Sequence, residues 1–238
     1  LDFDYKFFTL LIGSVYFFLI GFSDDLFSLS PFLRLFFQLI ASSFLWNFGL
    51  KVSVIDLAWI NSSLDLILLP DSLSLFLTIL LIMGAMNAIN WLDGLDGLAA
   101  GSVLISSFGL AIMFFLNNNF EGIILSSILS GVCLGFLRYN FYPAKIIMGD
   151  GGSYFLGFFL IYLVILFPLI NNNQDASNIF LPLLMIVFPI LDMALVMISR
   201  LTKKKSIFLP DRSHFHHKLL ELGISHKNSV FIIYSIIF

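Results

Sequence analysis

Asn87 to Gly101, NAINWLDGLDGLAAG, joins two strongly apolar segments and places two amides, Asn87 and Asn90, and two carboxylates, Asp93 and Asp96, within ten residues. The acids are three apart, so one helical turn would bring them onto roughly the same side, while Gly94 and Gly97 let the backbone turn sharply or approach a ligand closely. A glycine-capped helix end with solvated acids is the plain alternative for a single Asp-Gly; the doubled motif with its upstream amides is more specific. A second acid pair, Asp24 and Asp25, ends an apolar run. Adjacent carboxylates repel one another and a helix C-terminus disfavours negative charge, costs that a divalent cation would relieve. Oxygen donors with few soft neighbours suit Mg2+ or Mn2+ better than zinc. The alternative is two solvated loop acids.

MGDGGS, Met148 to Ser153, is a glycine-rich turn opening a helix. Its free N–H groups and positive dipole end suit a phosphate, and Asp150 could reach a metal that bridges to it. Alternatively, Asp150 or Ser153 is an N-cap. DRSHFHHK supplies Arg212, His214, His216, His217 and Lys218 in one loop. No complementary set of soft ligands accompanies them, so phosphate or phosphosugar binding fits better than zinc, with a solvated basic loop as the alternative. Asp192 lies well inside an apolar run, eight residues before Arg200. Acids in such positions are functional candidates or structural hydrogen-bonding groups.

The elements that must position these residues are membrane spans. Of 238 residues, 59% are hydrophobic and 11% charged, too apolar a mixture for a soluble domain of this size. Runs long enough to span fall near 7–23, 32–50, 73–91, 98–116, 122–138, 153–170 and 179–200, with an eighth starting near 229. The expected fold class is all-α: a polytopic helix bundle of about eight spans, one integral membrane domain over 1–238. The residues 51–72 read as a small external amphipathic hairpin, with Trp46 and Trp59 as interfacial anchors. The loops near 117–121 and 171–178 read as solvated turns. A chain that starts at Leu1 and stops within FIIYSIIF reads as truncated at both ends. Cys133, the single cysteine, excludes a disulfide framework, and there is no nucleic-acid motif. Basic residues divide ten (Arg34, Arg138, Lys145, Arg200, Lys203, Lys204, Lys205, Arg212, Lys218, Lys227) against two (Lys6, Lys51) between alternate sides, so the first side is cytoplasmic. That count also puts both acid pairs, Asp150 and the histidines on the cytoplasmic face.

GFSDDLFSLSP, NAINWLDGLDGLAAG, NFYPAKIIMGDGGS and DRSHFHHKLLELG, in this order from about Gly21 to Gly223, resemble the four motifs of the polyprenyl-phosphate N-acetylhexosamine-1-phosphate transferases, glycosyltransferase family 4. The resemblance implies an Mg2+-dependent bacterial inner-membrane enzyme whose site faces the cytoplasm. Its reaction moves N-acetylhexosamine 1-phosphate from a UDP-sugar to undecaprenyl phosphate and releases UMP. It implies that Asp24, Asp25 and Asp150 surround Mg2+ and the diphosphate. Asn90, Asp93, Asp96 and Asn140 would lie near the nucleotide, with Asn87 beside them, and His214, His216 and His217 near the phosphosugar with Arg212. A homodimer is compatible with it. The HFHH spacing resembles the branch using UDP-N-acetylhexosamines rather than the muramoyl-pentapeptide branch, which has consecutive histidines. Ser28 departs from branches with a charged residue one turn after the acid pair. A secondary transporter is the alternative of another class, although transporters place polar sites near the bilayer midplane.

Overall fold

The computed structural model describes residues 4–55, 67–170, 179–204, 206 and 214–238. Helix α1, Asp4–Phe27, is followed by α2, Pro31–Asn47, whose start is set by Ser30: its Oγ accepts the Leu33 N–H and Pro31 takes the first helical position. The external connection begins and ends as a two-stranded antiparallel ladder, β1, Val54–Ile55, and β2, Ile67–Leu68, with Val54 opposite Leu68. Both ends of the expected hairpin are therefore present, whereas Trp59 lies outside the described residues. Trp46 donates from Nε1 to Ser74 Oγ at 2.9 Å, with the Lys51 ammonium over its ring.

The long helices follow: α3, Asp71–Leu92; α4, Leu98–Leu116; α5, Phe120–Asn140; and α6, Gly149–Ile170. Asn119 caps α5 by accepting the Gly122 N–H at 2.8 Å, so the short turn near 117–121 has a structural task beyond solvation. The polar loop near 171–178 lies outside the described residues. The apolar run beyond it is interrupted: α7, Phe180–Leu183, passes through a 3-10 turn, Leu184–Ile186, into α8, Val187–Thr202. Two short helices end the chain, α9, Phe215–Glu221, and α10, His226–Ile237.

Six segments among the described residues are long and apolar enough to cross a membrane: Lys6–Phe27, Asp71–Leu92, Leu98–Leu116, Phe120–Asn140, Gly149–Leu169 and Phe180–Thr202. The all-α multi-pass architecture is thus as expected. The count of about eight is not confirmed: α2, with 17 residues, and α10, with 12, are not among these six.

Helix α6 is the axis of the bundle. Apolar side chains surround it, and Phe158 and every residue from Leu160 to Phe167 are at most 2% exposed, as expected for a helix that is hydrophobic on all sides and enclosed by others. Helices α1, α3, α4 and α5 enclose it. Small residues allow the close approach: a Cβ on Gly13 would strike the Phe158 ring, one on Gly21 the Asp150 backbone carbonyl, and one on Gly157 the Met86 Cα at 2.7 Å. Helices α4 and α5 form a hairpin with the Ser107 and Ser130 hydroxyls paired at 2.8 Å, and Cys133 is a buried core residue. Outward-facing Phe32, Phe36, Leu80 and Phe108 present the apolar exterior of a bilayer protein.

Gly21→Ala has no flexible side chain to displace at its contact, so it is expected to cost about 1–3 kcal/mol through overpacking. A lowered thermal midpoint of the purified protein in nanodiscs checks this; an unchanged midpoint would show that α1 and α6 separate freely.

Candidate active site

The C-terminal ends of α1 and α3 and the N-terminal ends of α2 and α6 meet at one end of the bundle and bring the acid motifs together. Arg34, in the first turn of α2, pairs through Nη1 with Asp24 Oδ2 and lies 3.3 Å from Asp150 Oδ2, so one nitrogen links acids 126 positions apart. Asp24 is buried and Asp150 partly so. Asn90 completes the contact, donating from Nδ2 to Asp150 Oδ1 at 2.7 Å and lying 2.9 Å from Ser153 Oγ.

Asp25, exposed beside buried Asp24, accepts the backbone N–H groups of Asp150 at 2.9 Å and Gly151 at 3.1 Å. The α6 N-terminus that the sequence offered to a phosphate therefore already holds a carboxylate, supplied by another helix. Neither Asp150 nor Ser153 caps its own helix: the Asp150 carboxylate turns to Arg34 and Asn90, and the Ser153 hydroxyl donates to the Asp150 carbonyl. The electrostatic cost expected at Asp24-Asp25 is met from within the chain, by a guanidinium for one acid and a helix N-terminus for the other.

The central motif departs from a single helical turn. Helix α3 ends at Leu92, Asp93 follows it, and Gly97 (φ +81°) starts α4, so Asp93 and Asp96 lie in the turn between helices. Asp96 Oδ2 accepts the Ala144 N–H at 2.9 Å, and its own N–H donates to His226 Nε2 at 3.3 Å. Asn140, 4% exposed, accepts the Gly97 N–H and donates to the Ile146 carbonyl, which joins the DGLDG turn to the segment before α6. Asn87 reaches sideways to Gln38 Oε1 at 2.8 Å and back to the Met83 carbonyl. Asp93 titrates well above the usual carboxylate range, at about 6, because burial disfavours its charge and Asp96 repels it.

The histidine loop closes over this turn. His216 packs so tightly on Gly94 that a Cβ there would collide with its Nε2. It is 1% exposed, and neither ring nitrogen has a hydrogen-bond partner among the described residues. Burial, followed by the charges of His217 and His214, lowers its pKa to about 4, so the ring is neutral at physiological pH. His217 lies 4.3 Å from it, centroid to centroid. His214 pairs with Asp192, the acid singled out inside the apolar run 179–200. Arg212 lies outside the described residues.

Between α2, α3 and α8 runs an apolar groove of about 450 Å3, with Leu39, Leu80 and Met193 on its walls and Arg34, Asn87 and Trp91 at its polar end. Arg34 enters the sequence reading only through the orientation count, and Trp91, Gln38 and His226 are not singled out there as site residues. The available signal was polarity out of place, since Arg34 and Gln38 stand one turn apart in the otherwise apolar PFLRLFFQLI.

A model of "Glycosyl transferase family 4" matches residues 7–168. The chain belongs to glycosyl transferase family 4. It is 35% identical over 228 residues to a "Probable undecaprenyl-phosphate N-acetylglucosaminyl 1-phosphate transferase" of Bacillus subtilis, covering 96% of this chain and 62% of that one. A "Decaprenyl-phosphate N-acetylglucosaminephosphotransferase" of Mycobacterium tuberculosis is 35% identical over 234 residues, 90% of this chain and 57% of the relative. A "Phospho-N-acetylmuramoyl-pentapeptide-transferase" of Prochlorococcus marinus is 34% identical over 230 residues, 90% and 63% of the respective chains. The chain thus spans about three-fifths of the length of these relatives.

The raised Asp93 pKa has a consequence for stability. Between the unfolded value of 3.8 and about 6 the folded state binds the proton more tightly, so stability falls as pH rises through that window. Asp93→Asn is expected to flatten this fall, as read from thermal midpoints at pH 4 to 7; a variant that keeps the full wild-type slope would assign it to other groups.

Proposed function

We propose that the chain is the core of a multi-pass membrane enzyme that transfers N-acetylhexosamine 1-phosphate from a UDP-sugar to a polyprenyl phosphate such as undecaprenyl phosphate. The observation that carries this reading is the convergence of Asp24, Asp25, Asp150, Arg34 and Asn90 at one end of the bundle, beside a groove with apolar walls. Three carboxylates fit a cation that would neutralise phosphates, Arg34 fits a phosphate directly, and apolar walls fit a polyprenyl tail. The names of the relatives, which specify undecaprenyl and decaprenyl phosphates, point the same way. The excess of basic residues at this end supports a site facing the cytoplasm from a bacterial inner membrane.

In the proposed reaction an oxygen of the lipid phosphate attacks the β-phosphorus of the UDP-sugar. One P–O bond forms, the bond from the β-phosphorus to the bridging oxygen breaks, and that oxygen leaves on UMP with the electron pair. The second pKa of a phosphate monoester is near 6, so the acceptor is mostly dianionic at neutral pH and needs charge neutralisation more than a strong base. Arg34, which lines the polar end of the groove, would orient the acceptor phosphate. Asp93 at about 6 can hold or release a proton near neutrality. The amides of Asn87 and Asn90, with Asp96 and Asn140 bracing the turn, border the space for the nucleotide; His214, His216, His217 and Arg212 would serve the phosphosugar.

Asp24, Asp25 and Asp150 would hold Mg2+, with Mn2+ as a substitute. Their donor type fits, since all three are hard carboxylates. Their present spacing does not gather them on one point: among the described residues no three acids or histidines form a metal-holding group, and Arg34 stands between two of them. When bound, the ion would neutralise charge on the diphosphate.

A panel of UDP-sugars with undecaprenyl phosphate, assayed on the full-length protein for UMP release, tests the reading. Activity with a UDP-N-acetylhexosamine, its loss on chelation and its recovery with Mg2+ are the expected results. Asp150→Asn should lower kcat by on the order of 100-fold or more, by analogy with the removal of a charge-stabilising group elsewhere. Turnover with only the muramoyl-pentapeptide donor would move the chain to the other branch, and substrate flux without UMP release would make it a transporter.

A further inference from the structure

We propose that Asp192 is a positioning residue, which fixes the tautomer and orientation of His214 so that Nε2 meets the ligand as a hydrogen-bond acceptor. Asp192 is 8% exposed within α8, and its two oxygens are divided between two tasks. Oδ1 accepts the Phe215 N–H at 2.8 Å, which leaves Oδ2 for His214 Nδ1 at 2.9 Å. An ionised carboxylate can only accept, so the proton of the pair lies on Nδ1 and the Nε2 lone pair is left for a donor.

The ring is held from other sides as well. The Trp91 ring, from α3, lies perpendicular to it with centroids 5.5 Å apart; the Arg200 guanidinium, two turns after Asp192, lies over the same indole at 4.9 Å; and His216 stacks on His214 with centroids 5.5 Å apart. His214 thus contacts two membrane helices, α8 through Asp192 and α3 through Trp91. A rigid acceptor suits a hydroxyl or amide N–H of a hexosamine better than a bare phosphate oxygen, which has no proton to offer. The sugar identity rests on the transferase reading above; the tautomer does not.

Asp192→Asn separates positioning from anchoring. The side-chain oxygen of asparagine can still accept the Phe215 N–H, while its NH2 faces Nδ1 as a donor and drives the ring proton to Nε2, the wrong tautomer. In the full-length protein in nanodiscs, the variant should keep its thermal midpoint but lose at least about tenfold in kcat/KM for the UDP-sugar. Asp192→Glu should recover part of that loss. Imidazole 15N spectra, with the His214 signal assigned by its absence in His214→Gln, should show Nδ1–H in the wild type and Nε2–H in Asp192→Asn. Wild-type kinetics in a folded Asp192→Asn, or Nε2–H already in the wild type, would overturn the proposal. Should the variant fail to fold, the wild-type spectrum alone still decides. Should the wild type transfer no sugar phosphate, the transferase reading falls, and the spectra continue to test the positioning.

Discussion

A helix that starts at a water boundary must satisfy its first backbone N–H groups, and for α6 the partner is Asp25 at the far end of a different helix. The negatively charged end of α1 is thereby joined to the positive end of α6, a favourable arrangement of two dipoles and one carboxylate. Asp24 cannot share that solution and turns to Arg34, which also reaches Asp150. One electrostatic requirement therefore places α1, α2 and α6 in register at the polar end. The glycines on α1 and α6 allow the helices to approach closely enough for these contacts to form.

Above this base the second half of the site is assembled by backbone recognition. The DGLDG turn is held by Asn140 through Gly97, by Ala144 through Asp96 and by His226, so its shape depends on residues from α5, the α5–α6 connection and α10. The histidine loop then rests on Gly94. Neutral His216 brings no charge to the pocket, which keeps the electrostatics of the turn in the hands of Asp93 and Asp96.

Much of this was legible in the sequence because the relevant signals are local. Length and polarity identify membrane helices, and glycines beside acids mark the turns between them. The convergence on one side was also legible, through basic residues that have no part in the motifs themselves. Partners distant along the chain were not. Nothing around Asp25 announces that it will cap a helix 125 residues away, and Asn140 resembles any polar helix end until its amide is seen joining two loops. The spacing of Asp93 and Asp96 permits one helical turn and their glycines permit a sharp bend; the chain takes the bend, leaving α3 at Leu92 and passing through the left-handed Gly97. Asp192, read alone as a functional candidate or a structural hydrogen-bonding group, is tied to the histidine loop.

The dense apolar sheath around α6 also limits where a product can go. Among the described residues the polar groups gather at one mouth of the bundle, while the interior beyond them is filled by Phe158, Leu160, Leu163 and Leu166. Among the described residues the core around α6 is packed with apolar side chains, whereas the side cleft between α2, α3 and α8 is open laterally and lined by apolar groups. Under the proposed transfer, a lipid-linked product formed at this mouth would have its way out sideways, into the same monolayer.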